Sequence, residues 1–127
     1  MFSAHSSKEK QMSKKIYCTA QFLPKAGKEP EVFAILQALE PNSQREDGCI
    51  QYTVTRRMAN PFAEGDSYPI AFHEIWSNRE AFEAHCQRKE IVEFFETNCV
   101  AEDGPVEKWN VCVYSDEPAD FDAPVFS

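Results

Sequence analysis

The stretch "IAFHEIWSNREAFEAHC", residues 70–86, changes its repeat halfway along. Ile70, Phe72, Glu74 and Trp76 alternate with Ala71, His73 and Ile75, which is the two-residue period of a strand. Ser77 and Glu80 then form an S-x-x-E pattern, the signature of a capping box at a helix start. Beyond it Phe82, His85, Val92, Phe95 and Cys99 recur at helical spacing and predict one apolar stripe. A strand therefore hands over directly to a helix, and that helix carries a histidine on its apolar side.

Working outward, residues 16–23, "IYCTAQFL", are rich in β-branched and aromatic types and read as a first strand. Residues 29–40, "EPEVFAILQALE", read as a helix. Pro30 suits its first turn, and Val32, Ile35, Leu36 and Leu39 make one apolar face. Asp47-Gly48 precedes a second strand in "CIQYTVTRR", and Met58 to Tyr68 is a loop. "PIAFHEIW" is the third strand and "KWNVCVYS" the fourth. The order strand–helix–strand–strand–helix–strand predicts an α+β, ferredoxin-like split βαβ fold, an antiparallel sheet with two helices on one face. "IAFHEIW" and "WNVCVY" place apolar residues on both alternating faces, so the far face is expected to pack on a second copy of the chain.

The 127 residues suit one domain, with 43% hydrophobic and 13% aromatic residues to build a core. An N-terminal arm is expected over residues 1–13, the folded domain over 14–116 and an acidic tail over 117–127. Residues 1–15 carry +3 and residues 116–127 carry −4, so the net charge of −8 belongs largely to the body. That field repels a phosphate backbone and argues against nucleic-acid binding. No apolar run approaches the roughly 20 residues of a membrane span, and no secretory signal is evident, so a cytoplasmic protein is expected. Cys18, Cys49, Cys86, Cys99 and Cys112 are odd in number, lack a CxxC spacing, and read as free, buried thiols in a reducing compartment.

"EDGCIQYTV", "HEIW", "SNRE" and "AFEAHCQRKEIVEFFE" together resemble the antibiotic-biosynthesis monooxygenase (ABM) superfamily, its quinol-monooxygenase-like members above all. The family pattern has an acid-rich turn before the second strand, here Asp47-Gly48-Cys49. It then has a Glu two residues before a Trp, here Glu74 and Trp76, and a His in an Ala-His context, here Ala84-His85. The resemblance spans about residues 13–116. It implies a dimeric α/β barrel, two ferredoxin-like protomers packed sheet to sheet, each with a pocket between sheet and helices. It also implies cofactor-free oxygenation of aromatic quinols or polyketides, with isomerases in the same superfamily. A second histidine found in many relatives is replaced here by Glu90. The haem-degrading branch uses Asn, Trp and His where this chain has Ala20, His85 and Phe95, so haem degradation is not implied.

Glu74 and Trp76 lie two apart on a strand and share a face, and His85 returns from the next helix. Phe72 adds an apolar wall, and Tyr52 and Asn60 are candidates to bond a substrate carbonyl. His85 and Glu74 are therefore the candidate catalytic pair, with Glu74 orienting the imidazole or binding a substrate hydroxyl. Phe72, Trp76, Tyr52 and Asn60 are candidates for binding a small aromatic substrate beside molecular oxygen. Deprotonation by His85, whose ordinary pKa is about 6.5, would make a quinol electron-rich enough to meet oxygen. The alternatives are a dimeric binding protein or isomerase with the same pocket, and a histidine that is simply buried and satisfied, the commoner fate of such a residue. Glu74 could equally pair with Arg56 or Arg57. No metal is expected, because His73 and Glu74 point to opposite faces and no H-x-x-x-H or H-E-x-x-H spacing exists. No GxGxxG loop or nucleophile elbow occurs, and Cys86 is expected to face away from His85.

Overall fold

A computed structural model describes residues 14–117. The expected arm over 1–13, and the tail beyond residue 117, lie outside the described residues. Four strands, β1 (Ile16–Pro24), β2 (Cys49–Arg56), β3 (Ile70–Trp76) and β4 (Val106–Ser115), form one antiparallel sheet in the order β2-β3-β1-β4. The helical segments are α1 (Glu29–Ala38), α2 (Glu40–Gln44), α3 (Arg79–Cys86) and α4 (Lys89–Phe95), followed by a π-helical turn at Glu96–Val100. The α+β, ferredoxin-like expectation is met, and the sheet of a single chain is open, not closed into a barrel.

Both predicted helices are broken. The first ends at Ala38, and Glu40-Pro41 opens the short α2. The second stops at Cys86, and α4 begins again at Lys89. The two missing helical residues rotate the register. Ile91 and Phe94 are buried where the unbroken spacing predicted Val92 and Phe95; Val92 is exposed, and Phe95 only flanks the core. The cap differs too. Asn78, not Ser77, closes the start of α3, its Oδ1 accepting the Ala81 N–H at 2.8 Å.

The core lies between the sheet and these helices. Phe22, Phe72, Trp76, Leu36, Ile70 and Val32 are its largest fully buried apolar side chains. Directly opposed residues share a face. Cys18, Ala20 and Phe22 of β1 therefore point to the same side as Tyr52 and Val54 of β2 and Phe72, Glu74 and Trp76 of β3. The outer edge of β2 is tied down from below. Glu40 Oε2 accepts the Val54 N–H at 2.8 Å, and Gln44 Nε2 donates to the Tyr52 carbonyl at 2.9 Å.

The opposite edge is open. Trp109, Val111 and Val113 of β4 pair with Phe22, Ala20 and Cys18 and so lie on the helix side, yet all three are exposed. The apolar alternation read from "WNVCVY" thus has one row that the helices do not reach. The far face carries Tyr17, Thr19 and Gln21 of β1, Gln51, Thr53 and Thr55 of β2, Ala71, His73 and Ile75 of β3, and Asn110, Cys112 and Tyr114 of β4. Leu23 of β1 and the exposed Lys108 of β4 extend this face at one end, and Lys108 is the one Asp, Glu, Lys or Arg among these paired residues.

Two glycines mark close approaches. Gly48 has φ +82°, and a Cβ there would lie 2.6 Å from Ala81 Cβ and 2.7 Å from Ser77 Oγ. It lets the turn before β2 sit against the start of α3, where the Ser77 N–H donates to the Gly48 carbonyl at 2.7 Å. A Cβ on Gly104 would meet the Asn98 carbonyl oxygen at 2.5 Å, so the chain leaving the π-helical turn passes hard against it.

Candidate functional site

β3 delivers Phe72, Glu74 and Trp76 to the helix side in alternation, and α3 delivers His85 back over them. His85 is only 4% exposed. Its ring lies 4.6 Å from the Trp76 ring and 5.1 Å from the Tyr52 ring, and Tyr52 lies 4.3 Å from Phe72. Phe72, Glu74, Trp76, Tyr52 and His85 are therefore brought together as expected.

Asn60 is not. It sits in the exposed loop after β2, where its Oδ1 accepts the Phe62 N–H at 2.8 Å. That bond is an Asx turn, which explains why a polar residue in a Pro-containing loop stays local and does not reach the sheet. His73 is exposed on the far face, with Nε2 3.0 Å from Thr55 Oγ1.

The partner of His85 is a residue that strand and helix patterns did not single out. Glu46 Oε2 lies 2.8 Å from His85 Nδ1. Glu46 stands in the turn before β2, beside the Asp47-Gly48-Cys49 motif and 39 positions from His85. Arg88, in the break between α3 and α4, bonds both Glu46 and Glu90. Glu74 does not orient the imidazole. Its Oε1 accepts the Trp76 indole N–H at 2.9 Å. Nor does it pair with an arginine: Arg56 takes Glu29 at 2.8 Å and Arg57 takes Asp66 at 3.4 Å. The acid-rich turn of the sequence motif was the available signal for Glu46, but no spacing rule connects it to a helix so far along the chain.

Glu74 is 6% exposed. Burial pushes its carboxyl up to about 7, against smaller lowering by the bonds from Trp76 and Cys18, and the Glu46 charge adds to the rise. His85 moves the other way. Burial lowers it, the Glu46 hydrogen bond and charge raise it, and Arg88 lowers it again, for a net fall. Burial also works against the Arg88 charge, but Glu46 and Glu90 outweigh it and hold the guanidinium firmly protonated.

A cavity of about 40 Å³ opens among these groups. Its walls include Cys18, Tyr52, Phe72, Glu74, Phe82, His85, Cys86 and Val111. Of its lining residues, Phe82 and Phe95 are half-buried, and Cys86 and Val111 are exposed. The volume suits a water-sized guest. Cys86 does not face away as expected, because it lines the same cavity as His85. Burial lifts its thiol to about 11, so it is not a ready nucleophile. All five cysteines are free, but only Cys18 and Cys99 are buried. Cys49 and Cys112 are half-buried and Cys86 is exposed, contrary to the expectation for all five. Among the described residues no group of three or more His, Cys, Asp or Glu is placed to hold a metal ion, and no helix is long and apolar enough to cross a membrane.

Comparison with known proteins gives the family and the fold. The sequence profile of the family "Antibiotic biosynthesis monooxygenase" (ABM) matches residues 15–97. Protein SO0527 of Shewanella oneidensis is 30% identical, with a TM-score of 0.66 over 81% of this chain and 91% of that one. A Deinococcus radiodurans protein described under the antibiotic biosynthesis monooxygenase name is 17% identical, with a TM-score of 0.62 over 79% of this chain and 89% of that one. A Bacteroides fragilis protein, described as dimeric, of unknown function and ferredoxin-like in fold, is 16% identical, with a TM-score of 0.56 over 80% and 95%. The curated proteins include no match.

Proposed function

Given that the chain belongs to the antibiotic biosynthesis monooxygenase family, we propose that it is a small cofactor-independent monooxygenase acting on an aromatic quinol or polyketide-like substrate with molecular oxygen. One observation carries the reading: an imidazole bonded through Nδ1 to a carboxylate lies against two aromatic rings at the wall of an apolar cavity. His85 removes a proton from the substrate. The electron-rich anion passes one electron to oxygen, and the radical pair combines into a carbon–oxygen bond. The O–O bond then breaks: one oxygen atom stays on the ring carbon and the other leaves as water, taking the two hydrogens that the quinol hydroxyls give up, the one held by His85 included, as the ring becomes a hydroxyquinone. Tyr52 and Phe72 supply stacking surface in a dry space, where the anion is more reactive than in water, while the fully buried Trp76 does not line the cavity and backs the His85 ring instead. The substrate ring enters by displacing Phe82 and Phe95.

The test is oxygen uptake by the purified protein with a menadiol-type quinol. His85→Ala is expected to lower turnover by about 100-fold or more, the usual contribution of a general base. Turnover like that of the unsubstituted protein in His85→Ala would remove this residue from the mechanism.

A second reading rests on Glu74. A carboxyl raised to about 7 and an imidazole face one cavity, which is the pairing a keto–enol isomerisation needs to move a proton between two atoms. Tight ligand binding without oxygen uptake across a panel of quinols favours it, or a binding role.

The chain works as a homodimer through the far face of the sheet, in the cytoplasm. A far face with Lys108 as its one charged residue, at its end, and the Bacteroides fragilis protein described as dimeric support the first statement. Five free thiols support the second. Thr19→Lys, at the middle of that face, is expected to shift sedimentation from dimer to monomer.

A further inference from the structure

We propose that Glu46 is the positioning residue of the site, fixing which nitrogen of His85 faces the cavity, with Arg88 as its counter-ion. The inference rests on the reading of His85 as the base. An imidazole has two nitrogens, and the hydrogen bond at one sets the tautomer at the other. Glu46 Oε2 holds Nδ1 at 2.8 Å. A carboxylate accepts, so Nδ1 carries the proton and Nε2 is left with its lone pair. Nε2 is then the nitrogen that takes the substrate proton, and the carboxylate behind the ring stabilises the imidazolium that forms.

Glu46 is half-buried and is held in place from behind. Arg88 bonds it directly, and Arg88 is itself anchored by Glu90. The placement of Arg88 follows from the break between α3 and α4. Its backbone is extended (φ −62°, ψ 140°), which swings the side chain out of the helical row and across to the turn before β2. The Gly48 contact with Ala81 and Ser77 holds that turn against the start of the same helix. The irregularity in the helix and the glycine in the turn thus serve one arrangement: carboxylate behind imidazole, guanidinium behind carboxylate.

The charged and titratable groups facing His85 are Glu46 from the turn, Arg88 from the break before α4, Glu90 from the first turn of α4, and, around the cavity, Cys18 of β1, Tyr52 of β2, Glu74 of β3 and Cys86 of α3. Glu46 and Glu90 favour the imidazolium and Arg88 opposes it. Two substitutions therefore push in opposite directions.

The experiment is a pH titration of the His85 ring in the full ¹⁵N-labelled chain by long-range ¹H–¹⁵N correlation, with His85→Gln to assign the signals. In the unsubstituted protein, the neutral ring should show the tautomer protonated at Nδ1. Glu46→Gln should lower the His85 pKa by about one unit or more, the size expected when an adjacent opposite charge is lost. Arg88→Met should raise it, and Glu46→Asp should restore part of the loss. Were the tautomer and pKa unmoved in Glu46→Gln, or lowered in Arg88→Met, the positioning role would be overturned. These signals need no substrate. If they move as expected while no quinol supports oxygen uptake, the Glu46 assignment stands and the oxygenase reading falls. If turnover exists, the acid limb of its pH profile should shift with the ring pKa in each variant; a limb that stays fixed in Glu46→Gln overturns the link.

Discussion

Glu74→Gln separates the buried carboxyl from every other titrating group. In the fold this carboxyl is pushed from 4.5 to about 7, chiefly by burial. The native state therefore holds a proton that the unfolded chain has already lost between those two pH values. Stability changes with pH as the difference in bound protons, unfolded minus native, and here that difference is negative. Protonated Glu74 costs nothing at acidic pH. As pH climbs through the window from about 4.5 to about 7, the unfolded state gains from ionisation and the native state does not. A displacement of about 2.5 units at about 1.36 kcal/mol each corresponds to about 3 kcal/mol of stability lost by pH 8. Glutamine keeps an oxygen to accept the Trp76 N–H but cannot ionise. Any cost of burying its extra N–H group is the same at all pH values. The advantage of Glu74→Gln over the unsubstituted chain should therefore grow by about 3 kcal/mol between pH 4.5 and pH 8, whatever its starting value. Urea unfolding of both proteins at several pH values measures this. With a slope of about 2 kcal/mol/M, the gap between midpoints should widen by about 1.5 M. Parallel stability curves for the two proteins across that window would refute the reasoning, because Glu74 would then titrate in the fold as it does in water.

Gly48→Ala combines a positive φ with contacts of 2.6 and 2.7 Å and is expected to lower stability by at least about 2 kcal/mol, read from thermal unfolding. Asn78→Ala removes the bond that caps α3 and should cost about 1 kcal/mol, with Ser77→Ala costing less; the reverse order in urea unfolding would restore the S-x-x-E reading. Trp76→Phe takes away the indole donor that lowers the Glu74 pKa, so the pH-dependent loss of stability should extend to higher pH than in the unsubstituted chain. Alkylation of Cys86 near pH 8 should run about 100-fold slower than that of an ordinary thiol, in line with a pKa lifted from 9.0 to about 11, as followed by mass spectrometry with iodoacetamide.

The strands were readable because alternation is local. Ile70, Phe72, Glu74 and Trp76 share a face whatever else the chain does, and the structure keeps all four on the helix side. The same logic failed at the helices. A period of 3.6 extrapolated past Gln87 and Arg88 predicts Val92 and Phe95 inside, but two non-helical residues turn the wheel and bury Ile91 and Phe94. Nothing in "CQRKE" announces the break, since none of its residues is Gly or Pro. Asn60 misled for a related reason: its side chain is spent on its own backbone two residues on.

By itself the sequence determined the order of elements and the ferredoxin-like topology, carried the family resemblance, and put Glu74 and Trp76 on one strand face with His85 on the helix that follows. Each depends on repeats of two or 3.6 residues, or on a motif a few residues long. Only the tertiary structure decided who bonds whom. Glu46 meets His85 across 39 positions because the Gly48 turn packs on α3, while Glu74, the nearer carboxylate in sequence, turns to the indole beside it. Hydrogen bonds reach about 3 Å and are set by how separate elements dock, a distance that periodicity does not encode.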